Sequence, residues 1–225
     1  MTCAAARSHD TFIREQTALS RPPLVPEVRL YLATEVTPLW QATQHQLESL
    51  DVPPPYWAFA WPGGQAAARY LLDNPHIVRN RRVLDFAAGS GLIGIACALA
   101  GAATVEAVDI DPVARRAMAL NAEANGVRLT VREDDVLETR PTAAGLWDVI
   151  VAGDVCYEKP MAEKVLAWLR ARAADGATVI MADPGRAYRP SSGLETLAEM
   201  IVPTDTDLED RDRRATAVYR VLAEE

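Results

Sequence analysis

The sequence predicts an α/β fold: a doubly wound, seven-stranded sheet, mostly parallel, closed by an antiparallel hairpin at its C-terminal end. Three observations predict it. From residue 65 to 181 short apolar strands alternate with helical segments, the rhythm of a parallel sheet covered by helices on both faces. The first of these strands runs into a glycine-containing turn, Asp85-Phe86-Ala87-Ala88-Gly89-Ser90-Gly91, which opens a helix. The tail then breaks the alternation with two strand-like stretches joined by a charged link, the pattern of a long hairpin.

In chain order, residues 12–19 predict a short helix ended by Arg21-Pro22-Pro23, and 28–32 alternate like a half-buried strand. Residues 40–50 are polar and predicted helical. The prolines of 52–64 deny that stretch regular structure, yet it carries Trp57, Phe59 and Trp61. Residues 1–64 are expected to be an N-terminal extension that packs on the core and helps form an active-site lid, with 65–225 as the main domain. That domain begins with a helix over 65–72, stopped by Asp73-Asn74-Pro75. Strands follow at 82–86, 104–108, 127–131, 147–152 and 178–181. Between them lie helices at 92–99, closed by Gly101, at 112–125, capped by Asp111 and stopped by Gly126, and at 161–173. In the tail, 195–200 predict a helix, while 201–202 and 215–222 predict the two hairpin strands. The link 205–214 is charged and lacks an apolar face.

Composition excludes several function classes. With 225 residues, 49% hydrophobic, the chain is long enough for one full core. The 31 acids against 23 bases give a formal net charge of −8, which argues against nucleic acid as the main partner. The cysteines Cys3, Cys97 and Cys156 form no CxxC pair, so a reducing compartment is expected and no zinc site. The histidines His9, His45 and His76 are isolated and suggest no metal either. No run approaches the roughly 18 apolar residues of a membrane span. The N-terminus lacks a signal core, and Asp10 and Glu15 suit an organelle leader poorly. A cytoplasmic monomer is the expectation, with the mitochondrial matrix as the alternative location.

Gly89-Ser90-Gly91-Leu92-Ile93-Gly94 is a G-x-G-x-x-G, and Asp109 stands where a dinucleotide site places its ribose acid. The context argues against a dinucleotide. Here the strand ends in Asp85, three residues before Gly89, and a carboxylate there repels two phosphates. A cofactor with an ammonium and a sulfonium but no phosphate suits it. S-adenosylmethionine is such a molecule, and its carboxylate can still use amides at the helix N-terminus. Ala87, Gly89 and Gly91 let the backbone pass close beneath it.

These residues resemble the first motif of the class I, seven-β-strand methyltransferases: an acid ending the first strand, then G-x-G-x-G, with Ala87 in place of the first glycine. The resemblance implies a Rossmann-like sheet. It also implies that Asp109, beside Ile110, accepts the ribose hydroxyls, and that Asp135 takes the adenine amino group while Val136 packs on the ring. Asp111 is expected to cap its helix instead. The alternative for Asp135 is a solvated acidic loop.

After the fourth strand, Asp154-Val155-Cys156-Tyr157 resembles the D-x-x-Y motif of a seven-strand group that largely methylates lysines in proteins. The alternative is a helix-capping aspartate and a packed tyrosine. The match widens with Pro55 to Gly64, Tyr70 to Pro75, Asp109 to Pro112 and Asp183-Pro184-Gly185-Arg186. Together they are similar to the family of electron transfer flavoprotein beta-subunit lysine methyltransferases, over roughly residues 24 to 225. That resemblance implies a protein substrate, the electron transfer flavoprotein beta subunit, with Asp154 orienting the incoming amine and Tyr157 helping exclude water. Trp61 is expected beside the cofactor, with Trp57 and Phe59 either in the lid or pinning the N-terminal segment. Asp183 to Arg186 line the acceptor site or form a turn. Three competing readings remain: an enzyme of this fold acting on a small amine or a ribosomal protein, a cofactor-binding module without turnover, and a dehydrogenase.

Overall fold

The computed structural model describes residues 3–34, 54–138, 147–205, 209 and 211–223. The predicted helix at 40–50 lies outside them. Helix α1 (Cys3–Gln16) leads into two short strands, β1 (Ala18–Ser20) and β2 (Leu30–Leu32), which pair antiparallel. The N-terminal helix therefore ends earlier than the sequence suggested, because Ala18 to Ser20 pair with Leu32 to Leu30. Val28, Leu30 and Leu32 are buried while Tyr31 is half-buried, the alternation expected of this stretch.

The main sheet is built from β3 (Arg82–Phe86), β4 (Thr104–Val108), β5 (Thr130–Arg132), β6 (Val149–Gly153), β7 (Thr178–Asp183), β8 (Leu194–Pro203) and β9 (Arg213–Val221). Their order is β5-β4-β3-β6-β7-β9-β8; the first five are parallel, and β9 and β8 run antiparallel. The helices are α2 (Pro62–Asp73), α3 (Leu92–Leu99), α4 (Pro112–Ala124) and α5 (Lys159–Ala174).

The two faces follow the period-two alternation of the strands. Val83, Val105, Val149, Val151 and Ile180 point to one face, where Ala66, Ala67 and Leu71 of α2 and Ile93 and Cys97 of α3 cover them. Leu84, Phe86, Ile150, Ala152 and Met181 point to the other, under Ala162, Val165, Leu166 and Leu169 of α5. Ile13 of α1 and Trp57 join α4 in a third cluster with Ala107, and Val25 to Leu32 pack on Ala68, Leu92 and Ile95. The N-terminal segment is thus fastened by apolar burial, worth about 1.5–3 kcal/mol for each large side chain removed from water.

One element departs from expectation. Residues 195–200, predicted helical, belong to β8, which pairs along its length with β9 from Leu194↔Val221 to Pro203↔Arg213, with one irregularity near Thr196. Leu, Glu, Ala and Met favour helix locally. Here the open edge of β9 supplies backbone partners that an isolated helix would not need, and pairing prevails over propensity.

At β3 and β6 the strand order reverses. The crevice at their C-terminal ends is the place where open α/β sheets bind ligands.

Candidate active site

The crevice is a cleft of about 950 Å³, at the upper end of the range for small-molecule sites. One side is formed by the turn after β3 and the end of β4. The other is formed by the end of β6, the aromatic segment before α2, and Arg186.

On the first side, Gly91 caps α3 in the left-handed region (φ 78°), and Gly89 also has positive φ (52°). Ala87 takes φ 51°, so replacing glycine there costs about 1–2 kcal/mol of strain. Asp109 holds the turn from the next strand: its Oδ2 accepts from the Gly89 amide at 2.9 Å and its Oδ1 from the Asp111 amide at 2.9 Å. Burial pushes the Asp109 carboxyl up, and those two amides pull it back. The residue lines the cleft. Asp111 caps α4 as expected, accepting from the Val113 amide at 2.7 Å. Ile110 is 75% exposed at the cleft edge. Asp135 is an exposed wall residue whose Oδ1 accepts from the Leu137 amide at 2.9 Å, and Val136 is buried beside it.

Two predicted cofactor contacts are placed differently. Asp85 and Gly91 are not on the cleft wall. Strand alternation turns Asp85 toward α3, where it is fully buried and its Oδ2 accepts from the Gly94 amide at 2.7 Å. A Cβ on Gly94 would lie 3.0 Å from that oxygen, so the last glycine of G-x-G-x-x-G serves helix–strand packing. Burial pushes the Asp85 carboxyl up to about 7, and its Oδ1 has no hydrogen-bond partner among the described residues. The direct contact expected of Asp85 is thus corrected to support from behind: the acid ties β3 to the start of α3.

On the second side, Asp154 follows β6 in the left-handed region (φ 55°), one of the few conformations aspartate tolerates better than most residues. Its carboxylate is buried. Oδ2 accepts from the Gly64 amide at 3.1 Å, at the N-terminus of α2, where the helix dipole favours an anion. Oδ1 accepts from Arg186 Nη2 at 2.8 Å. Burial pushes Asp154 up to about 6, opposed chiefly by Arg186. This close arrangement requires glycine. A Cβ on Gly63 would meet Asp154 Oδ2 at 2.5 Å, and one on Gly153 would meet the Gly64 nitrogen at 2.9 Å.

Tyr157 is 43% exposed at the cleft, its ring 5.6 Å from Tyr56. Burial raises its phenol above the usual range. Trp61 precedes α2 and donates from Nε1 to the Tyr56 carbonyl at 2.8 Å. Its ring lies edge-on to Tyr56 and Phe59, with the Arg186 guanidinium 5.7 Å from its centroid. Trp57, Phe59 and Trp61 all line the cleft, and Trp57 is also packed into the core. Asp183 ends β7 and accepts from the Gly185 and Arg186 amides, each at 2.7 Å, so the Asp-Pro-Gly-Arg stretch is a turn that also presents Arg186 to the site.

Nine of the eleven predicted site residues share this one cleft: Asp154, Tyr157, Trp61, Ala87, Gly89, Asp109, Ile110, Asp135 and Val136. Sequence reasoning gave no role to Tyr56, to the close crossing of Gly63 and Gly153, or to Glu209. The small residues at 63, 64 and 153 were a usable signal for the crossing. Among the described residues no cluster of His, Cys, Asp or Glu suits a metal.

The family model described as ribosomal protein L11 methyltransferase (PrmA) matches residues 70–157. The chain is 43% identical over 178 residues to the electron transfer flavoprotein beta subunit lysine methyltransferase of Xenopus laevis, covering 79% of this chain and 70% of that one. It is 36% identical over 218 residues to the Rattus norvegicus protein of the same name, covering 92% and 82%. A solved structure from Thermoplasma acidophilum shares the fold with a TM-score of 0.51 and 19% identity, over 73% of this chain and 89% of that one. With relatives this similar across most of both chains, and a cleft formed where the sheet's order reverses, the chain belongs to the electron transfer flavoprotein beta subunit lysine methyltransferase family.

Proposed function

We propose that the chain transfers methyl groups from S-adenosylmethionine to lysine side chains of the electron transfer flavoprotein beta subunit, with the donor on the β3–β4 side of the cleft and the lysine entering past Tyr56 and Tyr157. The observation that carries this reading is the continuity of the cleft from Asp109 and Gly89 to Asp154 and Tyr157. The match to the L11 methyltransferase model, residues 70–157, falls mainly on the donor half and says little about the acceptor.

The residues present fit the donor. The half-buried Asp109 offers free lone pairs to a pair of hydroxyls, a charge-assisted arrangement. Gly89 and Ala87 bring backbone close to the cleft, and Val136 offers an apolar wall beside the Asp135 carboxylate. Ile110 and Val108 supply further apolar contact. Bound there, S-adenosylmethionine supplies a methyl carbon on a cationic sulfur. The donor would supply its methyl carbon to in-line displacement by the neutral lysine nitrogen, with the C–S bonding pair leaving on sulfur and a nitrogen proton passing to solvent. The enzyme's part is alignment and exclusion of water.

The lysine must arrive at the methyl carbon neutral, although its ordinary pKa is about 10.4. Asp154 orients the amine, while Tyr157, Tyr56 and Trp61 form an aromatic mouth for its stem and charge. No nucleic acid or membrane partner belongs to this reading, and the enzyme acts as a cytoplasmic or mitochondrial-matrix monomer. The test is transfer of labelled methyl from S-adenosylmethionine to the purified beta subunit, with the modified peptide mapped by mass spectrometry. Label on lysine is expected, lost in Asp154→Ala and reduced in Tyr157→Phe while both variants still bind S-adenosylhomocysteine. Label only on small amines, or full turnover in both variants, sinks the assignment.

A further inference from the structure

Asp154 does not stand alone. Arg186 reaches it with Nη2 at 2.8 Å and Nε at 3.2 Å, and with the other edge of the same guanidinium reaches Glu209, at 2.5 Å to Oε1 and 3.2 Å to Oε2. Glu209 in turn accepts from Arg214 Nε at 2.9 Å. Glu209 comes from the link between β8 and β9, far from the cleft in sequence, and it is only 3% exposed. Burying a carboxylate costs several kcal/mol unless it is paired, and Glu209 has two guanidiniums as partners. Arg186 and Asp154 line the cleft while Glu209 stands behind them.

The arrangement answers a chemical difficulty. A lone buried aspartate beside the acceptor would hold lysine as its ammonium and oppose methylation. Asp154, Arg186, Glu209 and Arg214 carry two negative and two positive charges, so these four groups balance one another, with the buried Asp183 carboxylate beside them as a further negative group. We propose that Glu209 is a positioning residue of the acceptor site: it holds Arg186 against Asp154, so that Asp154 orients the incoming lysine without locking it in the charged form. The proposal rests on the protein-lysine reading above. The other polar groups near Asp154 are the Gly64 amide at the α2 N-terminus, Asp183 at the end of β7 and the Cys156 thiol. Tyr157 adds its phenol at the cleft.

The test uses the sign of charge. kcat for the purified beta subunit is measured across about pH 6 to 10, since its rising limb reports the acceptor's ionisation within the complex. Glu209→Gln removes a negative charge and is expected to move that limb to lower pH, with KM for the protein raised several-fold because Arg186 is then held less firmly and Asp154 is less well placed to orient the lysine. Arg186→Gln and Arg214→Gln each remove a positive charge and are expected to move it to higher pH, Arg186→Gln further. Shifts of several tenths of a pH unit to about one are expected for charges at these separations. Affinity for S-adenosylhomocysteine, measured by calorimetry, is expected to stay within about twofold of wild type, because the network does not touch the donor side. A staple that merely fastens the link would lower melting temperature and scale kcat equally at every pH. That outcome, or shifts of the same sign in all three variants, overturns the inference. If Glu209→Gln does not fold, opposite-signed or absent shifts in the two arginine variants decide it. Methyl transfer to lysine by the wild type with no such shifts refutes the network's role alone; absence of any lysine label from the wild type removes both readings.

Discussion

On the donor side of the cleft the polar anchors lie between Asp85 and Val136, and most of their partners are backbone amides a few residues from a strand end: Gly89 and Asp111 on Asp109, Val113 on Asp111, Gly94 on Asp85. The acceptor side draws Tyr56, Trp61 and Gly64 from before α2, Asp154 and Tyr157 from after β6, Arg186 from after β7 and Glu209 from the hairpin link. Its contacts are side-chain ion pairs and a glycine crossing that bring distant segments together. On the proposed reading, local turns hold the donor, whereas long-range contacts assemble the acceptor side. Substitutions on the two sides should therefore fail in different currencies: donor affinity on one, protein affinity and pH dependence on the other.

The largest effect is expected where the acceptor side is tightest. A methyl group at Gly63 would sit 2.5 Å from Asp154 Oδ2 and 2.6 Å from the Ala182 carbonyl oxygen, and the latter is backbone that cannot swing aside. Gly63→Ala is expected to abolish turnover and to lower the melting temperature by roughly 5–10 °C, the counterpart of about 2–3 kcal/mol of overpacking. Its neighbour provides the contrast. A Cβ on Gly64 meets only Leu92 Cδ2 at 3.9 Å, so Gly64→Ala should melt within a few degrees of wild type. Equal melting of the two variants would remove the crossing as the organiser of this side.

Next comes the donor side. Asp109→Ala removes the acceptor of two amide hydrogen bonds and the group facing the cleft. Affinity for S-adenosylhomocysteine is expected to fall about 100-fold by calorimetry, the loss of two charged hydrogen bonds. Tyr157→Phe, across the cleft, should change it by no more than about twofold. A reversed order would mean that the two sides have been assigned backwards.

A smaller effect concerns two buried acids, one on each side of the cleft. Asp85, pushed up to about 7, keeps its proton in the folded chain to higher pH than in the unfolded chain, where it is released near 4. Across that interval the folded state binds more protons at Asp85, so the stability this group contributes is greatest below about pH 4 and is lost as pH rises through about 7. Asp154, pushed up to about 6, contributes to the lower part of the same decline. Denaturant midpoints of the unliganded protein should therefore fall from about pH 6 to 7 by the equivalent of about 1 kcal/mol. Asp85→Asn should flatten that segment; an unchanged slope would show that Asp85 titrates normally.

The sequence revealed the donor side because its signals are local. Alternating strands and helices, an acid before a glycine turn and a capping Asp111 each occupy a few consecutive residues, and each is found where expected. It also brought Asp154 and Tyr157 to the cleft. It missed what depends on partners far along the chain. Residues 195–200 carry helix-forming side chains, and only the edge of β9 makes them a strand. Glu209 is one acid in a charged link, and nothing beside it marks it as the acid that turns inward to two arginines. Asp85 was read as a cofactor contact, although the alternation Val83, Leu84, Asp85, Phe86 already sends it to the same face as Val83, under α3.

The smallest expected effect tests the outermost layer of the acceptor side. Tyr56 is 48% exposed, and its ring lies between Tyr157 at 5.6 Å and Trp61 at 6.0 Å, so it stands at the mouth of the cleft. Its carbonyl, which holds the Trp61 indole, belongs to the backbone and survives substitution. Tyr56→Ala therefore removes aromatic surface from the lysine's path while leaving Trp61 anchored. An exposed cation–aromatic contact is worth about 0.5–1 kcal/mol, which converts to a two- to fivefold rise in KM for the protein substrate. kcat at saturation and affinity for S-adenosylhomocysteine should hold, since neither the methyl path nor Asp109 is touched. A change in donor affinity instead would place Tyr56 over the donor and move the boundary between the two sides to the far wall of the aromatic segment.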